Sequence, residues 1–281
     1  MTTKTRFPWC NMNNSPAGPY HVHATCAAAA DVIVNRLNGI RVDHLLVQEW
    51  FAAQAHDLNY QLYKPWGTRT AEDIFLLRLY FNAFSKIIFG DSLNLQNCHL
   101  RVCFKQGIHE SQWHKSVKVK KLQGSSQLMV PENGVQLAVI NIYELSVGPN
   151  NLARRLSEYL GILLHEMAHS YLQLFVLNQV GSFQGQGAKG HGLPWMRITG
   201  AIELFCSGVL GLPLKLGRSL SFALELVANG IPDEQVPFDT LNVDVAAVKR
   251  IVGICRALKQ QKQKQIDGED AGRSRKRQRQ N

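Results

Sequence analysis

The chain holds 281 residues, 45% of them hydrophobic and 19% charged, with a formal net charge of +10. That length allows one good-sized domain with appendages or two small domains, and the balance excludes a chain disordered throughout. No apolar run reaches the ~18 residues of a membrane span, no apolar signal segment opens the chain, and no repeat suggests a solenoid.

Residues 1–40 mix Pro, Gly and Asn with an alanine run, Ala27–Ala30, and read as a flexible N-terminal segment with a short helix at Ala27–Leu37. A helical lead-in over 41–70 follows, with Leu45, Leu46, Trp50, Ala53 and Leu58 at helical spacing before Pro65 and Gly67. Thr70 suits the N-cap of a clearer helix, with Asp73 three positions on. Ile74, Leu77, Tyr80, Phe81, Phe84, Ile87 and Ile88 give that helix a broad apolar face, and Gly90 ends it.

The period then changes. His99–Phe104 and Ser116–Lys120 alternate as strands. Gln127–Val130 and Val135–Leu145 read as a hairpin around Pro131, Asn133 and Gly134. A long helix is expected over about Leu152–Leu177, and the glycine-rich stretch Gly181–Gly192 must be a loop. Further helices are expected over Trp195–Val209, Gly217–Ala228 and Val243–Gln263. The order predicts an α+β fold, a small antiparallel or mixed sheet packed on helices. A C-terminal helical extension over 213–265 and a basic disordered tail over 266–281 complete the chain.

The charge is concentrated in that tail. From Arg256 onward nine Lys or Arg stand against three Asp or Glu, a net +6, which leaves +4 for the 255 residues before it. Such a distribution suits nuclear import and contact with a polyanion such as DNA. The run Arg273, Arg275, Lys276, Arg277 and Arg279 resembles a nuclear-import signal, so a nuclear location is expected. The six cysteines are scattered, with no C-x-x-C pair, which suits a reduced compartment and excludes a zinc ribbon.

The segment that carries chemistry is ILLHEMAHSYLQLF, residues 162–175. His165 and His169 are one helical turn apart on one face, so both can ligate a single tetrahedral Zn²⁺. Glu166 lies ~100° further round the helix, beside such an ion and not on it, where it can take a proton from water as a general base. A catalytic zinc needs a third protein ligand. His191 is the first candidate, because glycines on both sides let its backbone approach the ion. Glu203, on the following helix, is the alternative. Leu172 and Phe175 stand where the extended metzincin motif would need Gly and His. Trp195 is expected to pack under the site, and Tyr171 and Tyr143 are candidates for stabilising an oxyanion.

The combination of HEMAHSYL, a loop and GHGLPWMRITGAI resembles the SprT-like zinc metallopeptidases. The segment LYFNAFSKIIFGDSL, with Phe81-Asn82, Phe84, Phe89 and Leu93, resembles that family's first helix. The likeness covers about residues 71–212. It implies a zincin-like metallopeptidase domain there, a zinc cofactor on His165, His169 and His191, and Glu166 as base. It also implies an endopeptidase that cleaves proteins attached to DNA. Two departures stand out: a long loop between His169 and His191, and no cysteine-rich ribbon after the domain. Phe183, Gly185 and Gly187 resemble an F-x-G-x-G motif that binds AAA-type unfoldases, which makes 183–190 a candidate partner loop. The alternative function is a non-proteolytic nucleic-acid or chromatin scaffold with a structural zinc site.

Overall fold

A computed structural model describes residues 26–50, 71–104, 109–119, 122–130, 134–144, 152–176 and 190–278. The central element is, among the described residues, the longest apolar helix, here α4 (Leu152–Phe175). Its Leu163, Leu164, Met167, Ala168, Tyr171, Leu172 and Phe175 are all fully buried. A helix apolar on so many sides must be covered on most of its circumference. Helices cover it on some sides and a sheet covers it on another.

The sheet has three strands: β1 (Cys98–Cys103), β2 (Gly124–Met129) and β3 (Leu137–Tyr143). The order is β1-β3-β2, with β1 parallel and β2 antiparallel to β3. The fold is therefore mixed α+β, mostly helical, with a small mixed sheet. Buried Cys98, Leu100, Val102, Ala138, Ile140 and Ile142 join the main core beside α4. Cys103, Tyr143, Trp113 and Val117 form a separate cluster. The β2–β3 hairpin is present as expected, with β2 beginning three residues earlier.

The expected strand Ser116–Lys120 is not one. A short helix, α3 (Glu110–Trp113), runs into a π-helical turn at His114–Val119. Trp113 anchors this turn: its ring is buried in the second cluster and its indole N–H donates to the Glu144 carbonyl at 3.3 Å. The alternation of Val and Lys in this short run fits a tight helical turn, which buries Ser116 and packs Val117 on the second cluster, as well as it fits a strand.

The short helix expected at Ala27–Leu37 is present, slightly longer, as α1 (Cys26–Gly39), and it is no flexible appendage but packs against α5 (Leu193–Gly208). Residues 1–25 of the expected flexible segment lie outside the described residues. Its Ala29, Ala30, Ile33 and Leu37 lie on one side and are buried, and the small alanines permit close helix packing. Arg36 then caps a second helix, α2 (Ala71–Ile87), by donating to the carbonyls of Ile87 and Lys86 at 3.0 and 2.9 Å. Cations are favoured at that end of a helix. Residues 45–50 are helical, and Trp50 stacks on Phe84 of α2 at 5.5 Å. Residues 51–70 of the lead-in, Thr70 included, lie outside the described residues.

Beyond α5 come α6 (Arg218–Asn229), α7 (Phe238–Leu241) and α8 (Val245–Gln278). Val248 and Val252 of α8 are buried, and α8 packs on α6. The sequence pattern ends the last helix near Gln263, in a disordered tail. The helix instead continues to Gln278. Lys, Gln, Glu, Arg and Ala dominate this stretch and are strong helix formers, and Gln263 bonds to Asp267 one turn on at 2.8 Å.

Candidate metal centre

The three predicted histidines meet. His165 and His169 come from one face of α4, and His191 from the turn before α5. Their Nε2 atoms form a triangle, with 3.2 Å between each pair. Three imidazole nitrogens on one tetrahedral zinc, each ~2.0–2.1 Å from it, would be ~3.4 Å apart. The observed spacing therefore fits a shared cation. Three mutually facing nitrogens cannot all be satisfied by hydrogen bonds to each other, so the triangle is also unfavourable without one. These residues could hold a metal ion.

Close backbone approach builds the triangle. Gly190 has φ +78, and a Cβ there would stand 3.3 Å from Cε1 of His169. Glycine is needed on both counts, for the left-handed conformation and for the space. Trp195, fully buried on the first turn of α5, lies under all three rings. Its ring centroid is 4.7 Å from His165, 5.3 Å from His169 and 4.6 Å from His191. The expectation for Trp195 holds.

Groups outside the motif orient the rings. Nδ1 of His165 is 2.8 Å from the carbonyl oxygen of Leu216. Only the Nδ1–H tautomer donates there, which leaves Nε2 with its lone pair toward the triangle. The backbone N–H of His191 donates to Oε2 of buried Glu225 on α6, at 3.1 Å. Neither Leu216 nor Glu225 belongs to a recognisable spacing with the motif, so sequence reasoning missed both.

Burial sets the protonation states. It lowers the pKa of His165, against the opposing hydrogen bond to the Leu216 carbonyl. Burial, with His165 and His191 adding like charge, holds His169 well below the usual imidazole range. His191 is brought down to about 3, mostly by burial. All three are neutral donors at neutral pH, the state a metal requires. Glu166 is pushed up to about 8 by burial, while the backbone N–H of Ser126 on β2 counters by binding its carboxylate. A cation beside it would favour the charged form.

Glu166 faces a cleft of about 810 Å³ between α4, β2 and the segment before α6. His165, His169 and His191 line the same cleft, with Gly124, Ser126, Lys215 and Leu220. Strand β2 is an edge of the sheet. The Gln123 carbonyl accepts from Tyr143 of β3, so Gln123, Ser125 and Gln127 point their backbone groups toward β3. Those of Gly124, Ser126 and Leu128 point to the open side, which is how Ser126 reaches Glu166.

Other expectations are corrected. Glu203 does not reach the triangle. Its Oε1 accepts from the backbone N–H of Leu216 at 2.7 Å, and its Oε2 pairs with Arg218 at 3.1 Å. Neither tyrosine lines the cleft. Tyr171 is buried among Phe89 and Phe175, and Tyr143 bonds Ser125 Oγ at 3.0 Å beside the second cluster. Neither hydroxyl belongs to the lining of the cleft, so neither is placed to meet a developing oxyanion there. Of the loop 183–190, residues 183–189 lie outside the described residues.

Compared with known proteins, the chain matches no family model, no curated sequence and no solved structure.

Proposed function

We propose that the protein is a zinc-dependent endopeptidase of the SprT-like, zincin type, acting on proteins associated with DNA. The observation that carries this reading is the triangle of three neutral imidazoles with Glu166 beside it, all open to one cleft. A purely structural site has no use for Glu166 in that place.

His165, His169 and His191 would hold the zinc, which supplies Lewis acidity and makes water a nucleophile at neutral pH. Glu166 takes the proton from the attacking water and delivers it to the leaving amide nitrogen. The backbone N–H of Ser126 keeps the carboxylate aimed, and its burial lowers the polarity around it. An extended peptide can add to the open side of β2, where Gly124, Leu128 and the carbonyl of Ser126 present backbone groups. The DNA association rests on the basic residues of α8, and a nuclear location on the same residues.

Glu166→Gln tests the chemistry. The variant should keep one zinc per chain and lose cleavage of a DNA-crosslinked protein by about 10²–10⁴-fold. Equal cleavage by both proteins would remove Glu166 from the mechanism. Zinc in both with cleavage by neither would favour the scaffold alternative.

A further inference from the structure

Glu203 and Arg218 are placed as no solvent-exposed ion pair would be. The Arg218 side chain is only 5% exposed and sits across Gly200, where a Cβ would stand 2.7 Å from Nη2. Its guanidinium also donates to the carbonyls of Leu241 and Asn242. Glu203 uses its other oxygen on the backbone N–H of Leu216. The neighbouring carbonyl of Lys215 crosses Gly161 of α4 so closely that a Cβ there would stand 2.6 Å from it. The segment 215–218 is thus pinned from both sides. The one carbonyl it turns toward the triangle is that of Leu216, on Nδ1 of His165.

We propose that Glu203 is a positioning residue for the metal: through Leu216, it fixes the tautomer and ring orientation of His165. The inference rests on the zinc reading above. The logic is physical. A carbonyl selects the Nδ1–H tautomer only if it is held at hydrogen-bonding distance, and a loop segment by itself does not hold it so. The bond from Leu216 N–H to a charged acceptor, itself fixed by a buried guanidinium, supplies that rigidity. Removal of Glu203 leaves Arg218 buried without its counter-charge and frees Leu216 to move.

The test compares full-length wild type with Glu203→Ala and Glu203→Gln. The readouts are zinc affinity, by competition with a chelator, and the His165 ring, by long-range ¹H–¹⁵N spectra of zinc-free protein. Glu203→Ala should bind zinc about 10–100-fold more weakly, and its His165 should show mixed tautomers. Glu203→Gln keeps one acceptor for Leu216 and should lose about 3–10-fold, less than the alanine variant, since one link of the two survives. Unchanged zinc affinity and an unchanged Nδ1–H signal in the variants overturn the proposal, whatever their melting temperatures. If Glu203→Ala does not fold, the glutamine variant decides by the same two readouts. Wild type that binds no zinc would sink the function proposed above. Wild type that binds zinc, beside variants that bind it equally well, would sink this inference alone.

Discussion

A Cβ on Gly124 would stand 2.8 Å from Oε1 of Glu166 and 2.6 Å from Cγ2 of Ile162. The first residue of β2 is therefore glycine because the carboxylate of Glu166 lies directly against the strand. Gly124→Ala should push the carboxylate or the strand aside. Such overpacking costs about 1–3 kcal/mol of stability, and a comparable shift of a reacting group costs about 10²-fold in rate. Zinc content should not change. Thermal melts, metal analysis and cleavage assays on the one variant check all three.

Trp195 supplies a spectroscopic handle. Its ring lies 4.6 to 5.3 Å from the three imidazoles, so a paramagnetic ion such as Co²⁺ held by them should quench its fluorescence. Trp195→Phe should still take up metal but lose that response. Trp195→Ala opens a cavity under the rings and should cost about 3–5 kcal/mol. Titration of zinc-free protein with Co²⁺, followed by emission, distinguishes the variants.

The zinc-free protein should be most stable near pH 6.5, as far as these four groups decide. The histidines titrate at the ordinary value of 6.5 in the unfolded chain and lower in the folded one. Their contribution is full above 6.5 and is lost as pH falls from there toward the folded values. Glu166 titrates at about 8 when folded against an ordinary value of 4.5. Its contribution is full below 4.5 and is lost as pH rises through 8. Between 4.5 and 6.5 the three imidazoles outweigh the one carboxyl, so stability rises with pH; between 6.5 and 8 it falls. Glu166→Gln should abolish the fall on the alkaline side. Denaturant midpoints measured across this range check both limbs.

Truncation before Asp267 removes Arg273, Arg275, Lys276, Arg277 and Arg279 and should leave zinc uptake unchanged. DNA binding should weaken, and the slope of log affinity against log salt should flatten by about 0.9 for each phosphate no longer neutralised. A salt titration on duplex DNA with both proteins measures this. Unchanged slopes would assign any DNA binding to the folded body.

The histidine triangle is legible in the sequence because its parts are local. His165, Glu166 and His169 are set by helical spacing, and His191 and Trp195 by one glycine-flanked turn. Helical direction also accounts for Tyr171, which its residue type alone made a candidate. It lies two positions beyond His169, about 200° round the helix, and so faces the core. Glu203 illustrates the opposite limit. Its role passes through a backbone N–H and a backbone carbonyl, and neither leaves a mark on residue type. The parallel pairing of β1 with β3 is hidden for a related reason. A three-strand order depends on which edges meet after the chain has crossed over, and strand periodicity is the same in either direction. The helical continuation of α8 is obscured by its charge, which hides good helix formers behind a composition typical of tails.

The hydrogen bond from His165 to Leu216 also bears on where this chain can be divided. Resemblance alone would cut the catalytic unit after residue 212. Such a fragment would keep all three imidazoles and Glu166, yet lack the carbonyl that orients one ring and the carboxylate of Glu225 that anchors another. The shortest autonomous piece therefore extends at least through Asn229, which bonds both the backbone and the side chain of Glu225. It also includes Leu241 and Asn242, whose carbonyls receive Arg218. What reads as an appendage belongs together with the site, and deletions or fusions in this region would be tolerated only beyond the point where α8 leaves the body, after Arg256, which still bonds the Ile231 carbonyl and pairs with Asp233.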